Sequence, residues 1–387
     1  MLRVLILSML VFGMTISASA DPKPLDPDHA GQIDRAVAAA IELKMTPGAV
    51  VVAGRSDGTV FARGYGNYTY EPDSPKVKVD TIYDLASLSK SIGCATSIMV
   101  LADRGKLSVT DPLSKYLPAL RTEDKKDITI EQCLLHKAGF VADNPMKDFA
   151  GTPEQSLAKV YGAKLKYKPG KDYIYSDNSF IILGEVVKAV SDEPLDEFAK
   201  QNIFTPLKMT DTMYNPPQSL WQRIAPTEKR NGQWIAGQVH DPRAFALGGV
   251  AGHAGLFGTA EDVARWCRML LNKGELDGVR ILSAATVEEM TKPRSMKDSD
   301  GNRVIRGYGL DVDSKLSPSP RGRRFEKGKT FGHTGYTGTS LWIDPANDVF
   351  VILLTNRVHP DDDAEIGTLR KRIATIVAEG LLPQKTD

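Results

Sequence analysis

The sequence predicts an α+β fold: one antiparallel sheet built from both chain ends and flanked by helices, plus a mostly helical inserted domain. Three observations lead there. β-rich runs occur near the start of the chain, at 48–54 and 59–65. Such runs return only late, at 307–312, 338–344 and 348–355. The stretch between carries amphipathic helical spacing broken by Pro and Gly, with few strand signatures.

In chain order, the first twenty residues stand apart. Arg3 precedes the apolar run Val4–Phe12, and Ala18-Ser19-Ala20 closes the stretch before Asp21. A short basic start, an apolar core and a small-x-small site have the form of a secretory signal peptide cleaved after Ala20, which predicts a secreted or periplasmic protein. The apolar run is short for a membrane span, and no cysteine follows the cleavage site to accept a lipid. Residues 21–30 then read as a leader, and 33–43 as a helix. The runs Gly48–Gly54 and Thr59–Tyr65, on either side of Asp57-Gly58, read as an antiparallel hairpin. A helix enters at Ser87 and runs to about Asp103; others fall at 259–272, 283–290 and 364–379. The α/β part thus covers about 30–104 and 241–387, and the helical part about 105–240.

Bulk properties narrow the function classes. The chain has 387 residues, 42% hydrophobic and 25% charged, the balance of an ordinary globular protein. The first twenty residues carry one basic residue and no acid, so the remainder balances at 48 of each sign. Without a basic excess or a long basic run, nucleic acid is not an expected partner. Cys94, Cys133 and Cys267 are odd in number and widely spaced, with no metal-type pairing, and read as buried small apolar residues.

Three stretches could carry chemistry. Ser87 and Lys90 are three residues apart at a helix entry, so the amine can reach the hydroxyl. Ser87 also lies at the helix end that stabilises developing negative charge. A lysine serves as a base only where its pKa is lowered, so this pair implies an uncharged amine. A second Ser-x-x-Lys, Ser156 to Lys159, reads as chance. Tyr173-Ile174-Tyr175-Ser176-Asp177-Asn178 precedes a new apolar helix and could project a phenol and a carboxylate or amide into a cleft. Phe331-Gly332-His333-Thr334-Gly335-Tyr336 precedes a strand; Gly335 permits close backbone approach and Thr334 offers a hydroxyl. Read alone, each stretch has a plainer alternative: an N-cap with a solvated lysine, a capped helix with a packed tyrosine, a Gly-rich hairpin turn.

Taken together and in order, the three stretches resemble the serine β-lactamase and penicillin-binding protein superfamily, with its Ser-x-x-Lys, Tyr-x-Asn or Ser-Asp-Asn, and Lys-Thr-Gly motifs. The resemblance covers nearly all of the chain after the signal stretch. The phrases Thr129–Gly139 and Ala251–Phe257, and the 88-residue separation of Tyr175 from Ser87, resemble the class C branch of related hydrolases and esterases. The resemblance implies a β-lactamase/transpeptidase-like fold and acyl transfer through a covalent intermediate. Ser87 would be the nucleophile, Lys90 and Tyr175 the proton acceptors and relays, and the amides of Ser87 and Tyr336 the oxyanion hole. No cofactor and no metal is called for. His240, Asp241 and His253 fit no standard metal spacing and read as structural or cleft-lining.

Two positions depart from the pattern. Asp177 stands where the middle motif usually has Asn. His333 stands where the third motif has Lys, and an imidazole with a pKa near ~6.5 is mostly neutral at pH 7, which weakens binding of a substrate carboxylate. The resemblance therefore implies a hydrolase for a β-lactam, a D-amino-acid peptide of the cell wall or an ester, the His-Thr-Gly version leaning away from an efficient penicillinase. A carboxylesterase without a cell-wall role and a catalytically silent peptidoglycan-binding protein are the alternatives.

Overall fold

The structure is a computed structural model describing residues 23–383. The signal stretch lies outside the described residues. Eight strands form the main sheet: β1 (Gly48–Arg55), β2 (Gly58–Gly66), β3 (Arg294–Lys297), β4 (Arg303–Gly307), β5 (Leu310–Asp313), β6 (Phe331–Thr334), β7 (Ser340–Asp344) and β8 (Val349–Thr355). Their order is β3-β4-β5-β6-β7-β8-β1-β2, with every neighbouring pair antiparallel. The two chain ends meet at β1 and β8, where Val52 lies opposite Ile352. The sheet assembled from both termini is therefore present.

Alternating side chains on the central strands explain why both faces are covered. Val50 and Val52 of β1 join Ile352 and Leu354 of β8 on one face, against Ile92, Ile98 and Phe180. Ala49, Val51 and Ala53 share the opposite face with Trp342, Val351 and Leu353. That second face is covered by α1 (Pro27–Glu42) and α4 (Gly367–Leu381), the first and last helices. A strand buried on both faces becomes a continuous apolar run, which is the character of Val349-Phe350-Val351-Ile352-Leu353-Leu354. Between the sheet-forming ends lie α2 (Thr96–Asp103) and α3 (Asp177–Ser191), both in the core of the first face. All three cysteines are free and buried, as expected. Among the described residues no helix is long and apolar enough to cross a membrane.

Three local readings need correction. The leader is shorter than expected: α1 starts at Pro27, where Asp26 accepts hydrogen bonds from the amides of Asp28 and His29. Apolar spacing placed the start too late because the first turn is polar, whereas the Asp-Pro cap marks it. The run 307–312 is not one strand, because the chain turns at Tyr308-Gly309 between β4 and β5. The helix after Ser87 opens as a wide π turn, Lys90–Ala95, before becoming α-helical at Thr96; such turns recur at functional sites.

Trp342 ties the second face together. It is fully buried, and its indole N–H donates to Thr330 Oγ1 at 2.9 Å. Trp342→Ala is expected to cost about 3–5 kcal/mol in urea or guanidinium unfolding, through the cavity and the lost indole hydrogen bond.

Candidate active site

Ser87 sits at a strained corner. Ala86 has φ +47°, in the left-handed region that non-glycine residues seldom occupy. Asp84 holds the corner, its carboxylate accepting from the Ala86 amide at 2.8 Å and the His240 amide at 2.7 Å. The amides of Ala86, Leu88 and Ser89 are all bonded within the chain. Among the described residues the Ser87 amide has no such partner, and it is left to donate to something else.

Lys90 lies one turn on and is fully buried. Its Nζ donates to Ser87 Oγ at 3.0 Å and to the His253 carbonyl at 3.0 Å, and it pairs with Asp177 Oδ1 at 2.6 Å. Of the three N–H donors of an ammonium, two are hydrogen-bonded here, and Asp177 adds a close ion-pair contact. Burial alone works against this charge, but Asp177 and then Tyr175 outweigh it, and the amine is held above its ordinary value. This direction is opposite to that of the uncharged amine expected from the sequence. Its cause is Asp177, the carboxylate standing in for the usual amide.

Tyr175 and Asp177 are placed by the start of α3. Ser176 is the N-cap, its Oγ accepting from the Ser179 amide at 3.2 Å and donating to the Val141 carbonyl at 2.7 Å. The Ser176 amide donates to His136 Nδ1 at 3.0 Å, and the His136 ring stacks on Tyr175 with centroids 4.5 Å apart. Asp177 falls in the first turn, where the helix dipole favours a carboxylate. Lys90 Nζ is 4.9 Å from the Tyr175 ring centroid and the Arg306 guanidinium 5.8 Å. Sequence reasoning missed His136 and Arg306 as parts of the site. His136 lay inside a quoted motif phrase, and Arg306 could have been suspected as a charge within a strand.

The third wall is β6 and the turn that follows. A Cβ on Gly335 would come within 2.0 Å of Thr339 Oγ1 and 2.6 Å of the Leu85 carbonyl, so only glycine lets this turn lie against the Ser87 corner. Thr337 and Thr339 stitch the contact, donating to the carbonyls of Asp84 (2.8 Å) and Leu85 (3.1 Å). The Tyr336 amide, like that of Ser87, has no intramolecular acceptor among the described residues. Ser87, Tyr175, Thr334, Gly335 and Tyr336 line one cleft of about 390 Å³. His333 is buried beside Tyr175, ring centroids 6.0 Å apart, and burial followed by Arg306 pushes its pKa well down. It is neutral, and more firmly so than an exposed imidazole would be.

Asp241 and His253 belong to the site, and His240 only to its edge. His253 Nε2 meets Asp241 Oδ1 at 3.1 Å. Gly252 admits the loop, since a Cβ there would lie 2.0 Å from the Phe180 carbonyl. Asp177, Asp241 and His253 could offer a metal three ligand atoms within 4.8 Å of one another. The Lys90 ammonium already lies against the Asp177 oxygen in that group, so a cation is present without a metal. His240 faces Glu228 at 3.5 Å and stacks on Tyr336, centroids 5.9 Å apart. Of the two Ser-x-x-Lys copies, Ser156 is buried in the helix Pro153–Gly162 and Lys159 is exposed, away from this cleft.

The Beta-lactamase family model matches residues 33–375, and the chain belongs to that family. A protein of Escherichia coli (strain K12), named provisionally as a D-alanyl-D-alanine carboxypeptidase, is 31% identical over 399 residues, spanning 92% of this chain and 90% of the relative. Among solved structures, a penicillin-binding protein homologue from Caulobacter crescentus superposes with TM-score 0.75 at 20% identity, covering 94% of this chain and all of that one. EstCE1, a hydrolase with promiscuous acyltransferase activity, gives TM-score 0.73 at 24% identity, covering 90% and 98%. The protein is a β-lactamase-fold hydrolase related to proteins named as D-alanyl-D-alanine carboxypeptidases.

One acid outside the motifs reports on the charge of this site. Burial and then the Asp177 carboxylate push Asp143 up to about 6, with Arg243 opposing. A carboxyl raised in the folded state binds its proton more tightly there, so folding is favoured at low pH and loses that advantage as pH climbs from about 4 through 6. Unfolding by urea at pH 4.5 and 7.5 is expected to show this loss in the wild type and a smaller one in Asp143→Asn.

Proposed function

We propose that the protein is an exported serine hydrolase that forms an acyl-enzyme on Ser87 and takes esters or D-amino-acid peptides in preference to β-lactams. The observation that carries this reading is the hydroxyl of Ser87, hydrogen-bonded by a buried ammonium at 3.0 Å, at the mouth of a cleft with two unengaged amides on its rim. Export rests on the signal-like first twenty residues and on the cell-wall enzyme named among the relatives.

In this reading the scissile carbonyl oxygen lies between the Ser87 and Tyr336 amides, donors fixed before the charge develops. Tyr175 Oη takes the Ser87 proton as Oγ attacks the carbonyl carbon, and returns it to the leaving oxygen or nitrogen. Lys90 is not the base. Its ammonium orients Oγ and offsets the negative charge that moves between the serine and tyrosine oxygens. Water enters on the path of the departed group, gives a proton to Tyr175 and attacks the acyl carbon, and Tyr175 returns that proton to Ser87 Oγ as the acyl group leaves.

Substrate preference follows from His333. The family lysine at this position brings a permanent cation to a substrate carboxylate, and a buried neutral imidazole brings none. Purified protein is expected to cleave short-chain nitrophenyl esters faster than nitrocefin, with a D-alanyl-D-alanine peptide as the third arm. Ser87→Ala should abolish all turnover and all fluorophosphonate labelling. Nitrocefin turnover far above ester cleavage would reverse the preference, and absence of labelling in folded protein would point to a silent binder.

A further inference from the structure

The turn that carries the Tyr336 amide is held from behind by two arginines. Arg370, on the first turn of α4, sends Nη2 to the carbonyls of Gly335 (2.6 Å) and Thr339 (2.9 Å) and Nε to that of Gly338 (3.2 Å). Arg357, just after β8, sends Nε to the Tyr336 carbonyl at 2.8 Å, while its own amide donates to the Thr337 carbonyl at 2.7 Å. Every carbonyl from Gly335 to Thr339 is therefore taken, four of them by guanidinium groups. Arg357 is itself fixed by Asp362 at 2.9 Å and by the Ala364 carbonyl at 3.1 Å, and Asp362 also accepts the Tyr336 hydroxyl. Arg357 lies over the Tyr336 ring at 4.5 Å.

We infer that Arg357 and Arg370 are positioning residues for the oxyanion hole, setting the plane of the Gly335–Tyr336 peptide so that its N–H points at the developing oxyanion. This rests on the Ser87 acyl-enzyme reading above. An oxyanion donor works to the extent that it needs no reorganisation when charge appears. Bonding the Gly335 carbonyl, the other end of the same peptide unit as the Tyr336 N–H, to a guanidinium fixes that unit and polarises it in the useful sense. Charge-assisted bonds from a rigid planar fork suit this task better than a single ammonium, which cannot span three carbonyls. The two side chains also line the cleft. An anchor for a substrate carboxylate would use the same residues, so the test needs a substrate without one.

The experiment measures hydrolysis of an uncharged nitrophenyl acetate by wild type, Arg370→Lys, Arg370→Ala and Arg357→Gln, with active sites counted by fluorophosphonate titration. The affinity of a small boronic acid, a tetrahedral-adduct mimic, is measured alongside. Arg370→Ala is expected to lower kcat per titrated site about ten- to a hundredfold with KM within about twofold, and boronate affinity should fall with kcat. Arg370→Lys should recover only part of this. If Arg370→Ala does not fold, Arg357→Gln carries the same expectation with a smaller loss. Unchanged kcat per titrated site in the folded variants overturns the inference, as does a loss confined to KM for carboxylate-bearing substrates. Wild-type protein that neither cleaves the ester nor takes the label refutes the acyl-enzyme reading itself, a separate outcome.

Discussion

The buried ammonium of Lys90 is the contact on which the rest of the site depends. A charge so enclosed is costly unless every donor finds an acceptor. Its two hydrogen bonds and its ion pair come from three separate parts of the chain: the corner at Ser87, the loop at His253, and the first turn of α3. Each of those parts has its own device for arriving there. Asp84 fixes the corner, Ser176 caps α3, and Gly252 lets the loop touch Phe180. The site is thus assembled around one cation rather than displayed on one element.

Asp177 changes what that cation does. With an amide at this position the lysine would be answerable mainly to burial, which favours the neutral amine. A carboxylate at 2.6 Å works the other way and favours the charged form. Asp143 and Asp241 bring two more carboxyl groups near Asp177. His253 and the backbone amide of Ala244 hold Asp241 ionised against the effect of burial. On the opposite side His333 contributes no charge. The two departures from the family pattern therefore change the local charge in different ways: one puts a carboxylate against Lys90, and the other leaves a neutral ring beside Tyr175.

What could be read from the sequence follows the range of the interactions. Ser87 and Lys90 are one turn apart, Tyr175 and Asp177 share a helix start, and Gly335 announces a close approach, so each was visible as a local pattern. The hairpin of β1 and β2 was legible from its Asp-Gly turn, and β8 from its unbroken apolar run. The α1 start and the Tyr308-Gly309 turn were not, because a polar first turn and a turn without Asn or Asp break the usual cues. The direction of the Lys90 shift was not visible, since it depends on where Asp177 comes to rest, 87 positions later. His136, Arg306, Arg357 and Arg370 were not singled out for the same reason. Each acts through groups brought near only by tertiary packing, and an arginine at a helix start or after a strand looks like any solvated arginine until its carbonyl partners are known.

The pairing of β1 with β8 has a further consequence for how the chain reaches this state. The strands that meet at Val52 and Ile352 are roughly three hundred residues apart along the polypeptide. This seam cannot exist until the last strand of the sheet has been made, whatever the amino-terminal hairpin does beforehand. Such distant partners make assembly slow, since a large loop must close before any bond in the seam forms. A growing chain therefore carries β1 with one bare edge for most of its synthesis, and its protection in that interval has to come from something other than its own fold.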